Sequence, residues 1–319
     1  MAPADDNVDE TDATADAETI QRPVSEFMQA RAANVLATQP SLSRFLINED
    51  DAAFAAEASR GQGRLSFSSG TGGAFWADFE AAWSNQDETD SSYVVGTIGT
   101  HFHANENLLL GLMISADRAE DNQSDADIEG TGWLAGPYFV ARLPGQPLFF
   151  EGRALYGETD NDIDMDSSDG DFDTERTLLQ ARVTGEIARG DLTLFPHLDF
   201  SQIKDDQDDF TTSDDIDIPD QKIKLSALTL GMDFDQPLAV ASGDFSLVGG
   251  VSAIWSETDG DGIPRGILSS GDDMRGRVDF GFNYALSSNN TVSLDTFYDG
   301  IGADDFEGYG MSLNWALDF

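Results

Sequence analysis

Four groups of residues in this 319-residue chain have types and spacings that chemistry could use. His101 and His103 lie two positions apart, so on a strand both imidazoles project from one face, as two ligands of one metal would. No third ligand type sits beside them, and wet-face side chains account for them equally well. His197 and Asp199 repeat that spacing, and with a serine they would make a base and its carboxylate. Nothing in the sequence supplies the serine. Asp-Gly-Asp-Gly at 259–262 and the acidic run from Asp164 to Asp173 hint at calcium loops. The calcium-loop template needs Gly at its sixth position and Glu at its twelfth, and neither run satisfies it. Cysteine is absent, which removes disulfides, thiolate metal sites and thiol nucleophiles. The reading is no catalytic residue, no metal site and no cofactor.

Charge excludes another class. The chain carries 60 acidic residues against 17 basic ones, a formal net charge of -43. Nucleic-acid binding rests on counterion release by clustered Lys and Arg, and the sequence has no such cluster. The acids read as hydrated loops, with divalent-cation bridging to lipopolysaccharide as the functional alternative.

The elements that would position these residues follow from periodicity. Residues 1–20 are rich in Asp, Glu, Ala and Thr and are expected to form an acidic disordered segment. They show no basic n-region and no apolar h-region, so an export signal is expected upstream of Met1. Residues 21–72 are assigned to a helix and linker, the helix running from Pro23 in its first turn to Gln39, before Pro40. Its apolar face is thin, with Phe27, Met28, Val35 and Leu36 interrupted by Arg31 and Asn34.

From residue 73 to 319 the pattern has period two. Tyr309, Met311, Leu313, Trp315, Leu317 and Phe319 share one face, and Gly310, Ser312, Asn314, Ala316 and Asp318 the other. Phe75, Ala77 and Phe79 likewise oppose Trp76, Asp78 and Glu80. Such alternation marks strands with one apolar and one wet face. Twelve are expected, near 73–84, 92–104, 107–118, 129–142, 147–158, 173–188, 191–204, 221–236, 243–256, 273–286, 291–300 and 307–319. Short turns alternate with long acidic loops, expected at 159–172, 205–220 and 257–272. Strands of about nine to eleven residues with short turns on one side and long loops on the other are those of a transmembrane barrel. Mean hydropathy is -0.32, compatible with strands apolar on alternate residues only. Two strands depart from the pattern: 221–236 slips phase near Ala227-Leu228, and 129–142 is apolar on both faces around Trp133 to Val140. A bulge or a lumenal plug would explain either.

Three stretches resemble the translocator domain of autotransporters. They are FMQARAANVLATQPSLSRFL at 27–46, GTGWLAGPYFVARLPGQPLFFEGRALYGET at 130–159, and the alternating last strand ending in Phe319. The likeness covers about residues 24 to 319. It implies an all-β fold, a twelve-stranded antiparallel transmembrane β-barrel with an N-terminal α-helix in its lumen, in the Gram-negative outer membrane. It implies a non-enzymatic barrel that anchors and exports an N-terminal passenger in cis, by type V secretion. The lumenal helix would present Phe27, Arg31 and Asn34, with Arg31 meeting acids of the wall. The lumen wall would include Asp78, Glu80, Glu151, Arg153, Asp199 and Asp279. Tyr309, Leu313, Trp315, Leu317 and Phe319 would form the signal read by the barrel assembly machinery. The other expected partners are outer-membrane lipid and lipopolysaccharide around a monomer. Asn34 is flanked by Ala33 and Val35, so passenger cleavage at a paired-Asn site is not expected. A small porin-like channel is the alternative, followed by a barrel hydrolase and a soluble β-sandwich adhesin.

Overall fold

Apolar residues at every second position leave each strand one oily face, and a closed sheet turns all these faces the same way. The computed structural model describes residues 7–47, 53–60, 63–69, 75–86, 89–123, 126–165, 168–239, 244–263, 273–287, 290–302 and 308–318. Helix α1 (Asn7–Ala37) and the short α2 (Arg44–Ile47) precede β1 (Ala53–Arg60), β2 (Gly63–Ser69), β3 (Phe75–Gln86), β4 (Thr89–Asn105), β5 (Leu108–Asn122) and β6 (Ala126–Arg142). Then come β7 (Leu148–Met165), β8 (Ser168–Gly185), β9 (Ile187–Arg189), β10 (Leu192–Gln207), β11 (Phe210–Thr211), β12 (Asp217–Ile218) and β13 (Gln221–Leu238). The chain ends with β14 (Asp244–Asp261), β15 (Asp273–Ser287), β16 (Asn290–Ile301) and β17 (Gly308–Asp318).

All pairings are antiparallel and run in sequence order, except that β8 pairs with β10 past the short β9, which extends the β8 edge, and β10 pairs directly with β13 across the β11–β12 hairpin. The circuit closes because β17 pairs with β1, Asp318 opposite Ala53. The twelve expected strands are β3 to β8, β10 and β13 to β17. Two short strands, β1 and β2, join the ring between β17 and β3. Both fall within the segment assigned to helix and linker, where alternation over seven or eight residues is too brief to read.

Other expectations change at the helix and at the long loops. The helix begins at Asn7, so the segment read as disordered is helical from there, and Pro23 lies inside the helix. Ala13, Ala15 and Ala17 favour helix strongly enough to outweigh the acidic composition. The loop expected at 159–172 is strand up to Met165 and again from Ser168, because outward Asp and inward apolar residues keep alternating. At 257–272 strand likewise persists to Asp261, and within 205–220 a small hairpin forms.

The outward face shows where lipid sits. On β6 the outward residues from Trp133 to Ala141 are apolar, and beyond Trp133, toward the long hairpins, Thr131, Glu129 and Asp127 follow on the same face. The eight steps from Trp133 to Ala141, at ~3.3 Å each and a tilt near ~40°, span about 20 Å, close to the apolar band of outer-membrane barrels. Leu112, Ile98, Leu230 and Phe280 are 57% to 64% exposed on this belt, which a soluble protein would cover. Trp133 and Tyr156, edge to face at 6.3 Å, mark its upper rim. Beyond them the β7–β8 hairpin carries Asp160, Asp162, Asp171 and Asp173 into water.

Candidate functional site in the barrel lumen

Inside the ring, α1 runs beside one wall. At ~1.5 Å per residue its 31 residues span about 46 Å, matching an 18-residue strand tilted by ~40°. Ile20, Val24, Phe27, Met28, Arg31, Ala32 and Val35 are buried, and Arg22, Glu26, Ala30, Ala33 and Ala37 are exposed. That is a helical stripe against β6, β10, β12 and β13, with small residues facing the unfilled side. It resolves both irregular strands. On β6 the inward Leu134, Tyr138 and Val140 are buried in the lumenal core. On β13 the register with β10 and β14 is unbroken; Ile223 and Leu225 turn inward to that core, while Leu228 and Leu230 turn outward.

Three tiers fasten the helix. At the end where the long hairpins lie, Gln21 Nε2 donates to Gly262 O at 3.4 Å, and Ile20 and Val24 are buried in the lumenal core to which Ile128, Ile163, Phe172, Phe210 and Ile218 also belong. Ser25 Oγ there donates to Gln21 O and lies in hydrogen-bond contact with Gln221 Oε1 on β13.

The middle tier is ionic. Arg31 Nε donates to Asp117 Oδ2 at 2.8 Å, Nη2 lies 2.7 Å from the same oxygen, and Nη1 donates to Asn161 Oδ1 at 2.6 Å. Arg176 forks onto Asp205 at 2.8 Å and 2.6 Å, with its Nη1 3.8 Å from Asp117 Oδ1. Arg31 and Arg176 are each 1% exposed, so two cations and two carboxylates neutralise one another out of water. The Gly130-Thr131-Gly132 sequence on β6 makes the space. A Cβ at Gly130 would lie 2.6 Å from Arg31 Nη1, and one at Gly132 2.8 Å from Nη2.

The third tier holds the chain where it leaves the helix. Arg153 donates to Gln39 Oε1 at 3.1 Å and to the Pro40 carbonyl, and Glu151 accepts the Ser43 amide at 2.6 Å. Phe45 on α2 then packs against Trp76 and His101, at 5.5 Å and 4.8 Å between ring centroids. Trp76 Nε1 donates to Tyr138 Oη at 2.8 Å, and His101 Nδ1 bonds the same oxygen at 2.9 Å.

The residues expected from sequence are distributed as follows. Phe27 is buried beneath the Arg31 guanidinium, 5.8 Å from its ring centroid, and Asn34 is half-buried. Glu151 and Arg153 grip the helix exit. Glu80 is buried and Asp78 half-buried on β3; Asp279 accepts from Arg277 at 2.7 Å, and Asp199 from Gln180 at 3.2 Å. Tyr309, Leu313, Trp315 and Leu317 occupy strand positions opposite Tyr298, Leu294, Val292 and Asn290. Their side chains, and Phe319 entirely, lie outside the described residues. His197 does not pair with Asp199: its Nδ1 lies 3.2 Å from Asp233 Oδ2 on the next strand. Among the described residues, no group of three or more His, Asp or Glu is placed to hold a metal. Sequence reasoning missed Asp117, Asn161, Arg176 and Asp205. Strand parity could have found Asp117 and Arg176, which fall on the inward face of expected strands; Asn161 and Asp205 lay in segments read as loops.

A helix buried along a closed transmembrane sheet narrows the comparisons, and a model of the autotransporter β-domain matches residues 70–299. The chain belongs to the autotransporter β-domain family. This β-domain is similar in fold to the translocator domain of autotransporter NalP from Neisseria meningitidis, with TM-score 0.52 and 13% identity over 98% of each chain. It is also similar to the β-domain of the Bordetella autotransporter BrkA, with TM-score 0.51 and 14% identity over 85% of this chain and 100% of that one. No curated protein matches it in sequence. The β-domain is thus an outer-membrane translocator barrel of the Gram-negative envelope.

Proposed function

We propose that the barrel conducts a polypeptide joined ahead of α1 to the cell surface and then retains α1 as its plug and tether. The direction of the helix carries this reading. Its N-terminal part reaches the end with the long acidic hairpins, and Thr38 to Phe45 return at the end with short turns, where β17 also finishes. Long loops face outward in outer-membrane barrels, so a segment N-terminal to α1 emerges outside.

The roles follow from position. Phe27, Arg31 and Asn34 belong to the tether; Asp117, Asn161, Arg176 and Asp205 lock it; Glu151 and Arg153 hold its exit. Asp78, Glu80, Asp199 and Asp279 contribute to a polar wall along which a chain slides without adhering. The last strand, with Tyr309, Leu313, Trp315, Leu317 and Phe319, is the part presented to the barrel assembly machinery. The belt meets outer-membrane lipid and lipopolysaccharide around a monomer, and no step is catalytic. An epitope fused ahead of Met1, behind an export signal, tests the proposal in cells. It should be cut by protease added to intact cells; cleavage only after the outer membrane is opened would refute it.

A further inference from the structure

The chain contains three lysines, Lys204, Lys222 and Lys224, and all three stand on the outer face of two paired strands. Lys204 and Lys224 are directly opposed in register, and Lys222 opposes Asp206. Like charges directly opposite one another on a sheet are destabilising unless an anion lies between them. Their side chains are 37% to 45% exposed. Beneath them the β10–β13 seam changes character in two steps. Gln202 Nε2 donates to Ser226 Oγ at 3.0 Å, and then Phe200 opposes Leu228 and Leu198 opposes Leu230 on the lipid belt.

Elsewhere around this rim the same tier carries Glu129, Glu158 and Glu175, with one cation, Arg118 on β5, held between Glu120 and Glu129. In a chain with net charge -43, confining every lysine to one seam makes a local exception at the height where headgroups begin. Asp206 accepts from Lys204 and lies 3.9 Å from Lys222, and Asp259 lies 2.5 Å from Lys224. Glu175 on one side and Glu257 and Asp261 on the other hem the seam. An anion reaching the opposed lysines would share Lys204 with Asp206 and Lys224 with Asp259, whereas a long polyanion would run onto acids.

We propose that this seam docks a phosphorylated lipid of the outer leaflet, its phosphate between Lys204 and Lys224, with Lys222 above, and its acyl chains along Leu198, Phe200, Leu228 and Leu230. The site is continuous with the lipid belt, and headgroup and chains are bound together. Assignment to the outer leaflet rests on the orientation proposed above; binding itself does not, so display and docking fail separately.

Native mass spectrometry of the refolded full chain in detergent tests it, with a phosphorylated glucosamine-disaccharide lipid, its dephosphorylated analogue and inorganic phosphate as probes. The phosphorylated lipid should bind about tenfold more tightly than the analogue, less than the roughly 25-fold that about fivefold from each of Lys204 and Lys224 would give, because both are shared with neighbouring acids. K204Q/K222Q/K224Q should abolish that preference, and D259N should strengthen it by freeing Lys224. Equal binding of the two lipids, an unchanged preference in the triple variant, or displacement of the lipid by inorganic phosphate at comparable concentration would overturn the proposal. If the triple variant does not refold, K204Q and K224Q singly should each reduce the preference, and the two-lipid comparison on the wild-type chain still decides.

Discussion

Replacing Arg31 by Ala removes the one cation that α1 contributes to the buried cluster. Asp117 then loses contacts at 2.8 Å and 2.7 Å, and Asn161 loses a donor at 2.6 Å. Breaking a buried ion pair by removing one partner costs about 3–5 kcal/mol. Asp117 keeps Arg176 within 3.8 Å, which places the expected loss at the lower end, about 3 kcal/mol. That is a shift of roughly 150-fold in the balance between a seated and a released helix. The barrel ladders do not include Arg31, so the heat-dependent gel shift of the folded barrel should survive. In planar bilayers the variant should show large open events whose fractional occupancy rises by about two decades, as that free energy requires. Arg31→Lys should recover only part of the effect, because one ammonium cannot reach Asp117 twice and Asn161 as well. In the double variant with Asp117→Asn, the second substitution should add little. Open occupancy identical to wild type in Arg31→Ala would refute the reasoning, since the cluster would then not hold the helix.

Gly132→Ala places a methyl group 2.8 Å from Arg31 Nη2, so it should reproduce the open events of Arg31→Ala while leaving every charge in place. Arg153→Ala should leave the middle tier closed but expose Gln39 to Ser43 to protease from the short-turn side, read by limited digestion. Leu230→Arg, at a belt position 64% exposed, should destabilise the folded barrel by about 2–4 kcal/mol in denaturant titrations from lipid vesicles. On the hairpin above the belt, a hydrogen bond with Asp171, followed by burial and the Asp171 charge, pushes the Asp162 carboxyl above its usual range. A carboxyl raised in the folded state binds its proton more tightly there, so the hairpin gains stability as pH falls through that raised value and loses it as pH rises. Amide protection factors over 160–165 and 168–173, after correction for intrinsic exchange, should rise from neutral to mildly acidic pH, and Asp162→Asn should remove that rise.

Much of the barrel was legible because its signal is local. Tyr309 to Phe319, Phe75 to Glu80 and Val278 to Leu286 each declare two faces through alternation alone. The strands that misbehaved were those touching the plug: Leu134 and Val140, or Ile223 and Leu225, are apolar and inward because α1 covers them. The acidic hairpin at 159–172 was misjudged because Asp is depleted in strands generally, yet the described ones, Asp160, Asp162, Asp164, Asp169 and Asp171, occupy outward positions beyond the belt. The site was half legible. Arg31 stood out as a charge on an apolar helix face, whereas its partners lie 86 and 130 residues away in sequence.

By itself the sequence determined what depends on neighbours along the chain. These are strand faces, the approximate height of the belt, the helix ending before Pro40, and the absence of thiol chemistry. Parity also turns Asp117 and Arg176 inward, whereas Asn161 and Asp205 fall in segments that read as loops. Only the tertiary structure decided that they meet at one height. That height depends on strand tilt and on the stagger accumulated around the closed ring, which no single strand encodes. The same closure divides two chemically similar oily rows, one covered by lipid and the other by α1, because a side chain's solvent is set by what the rest of the fold places opposite it.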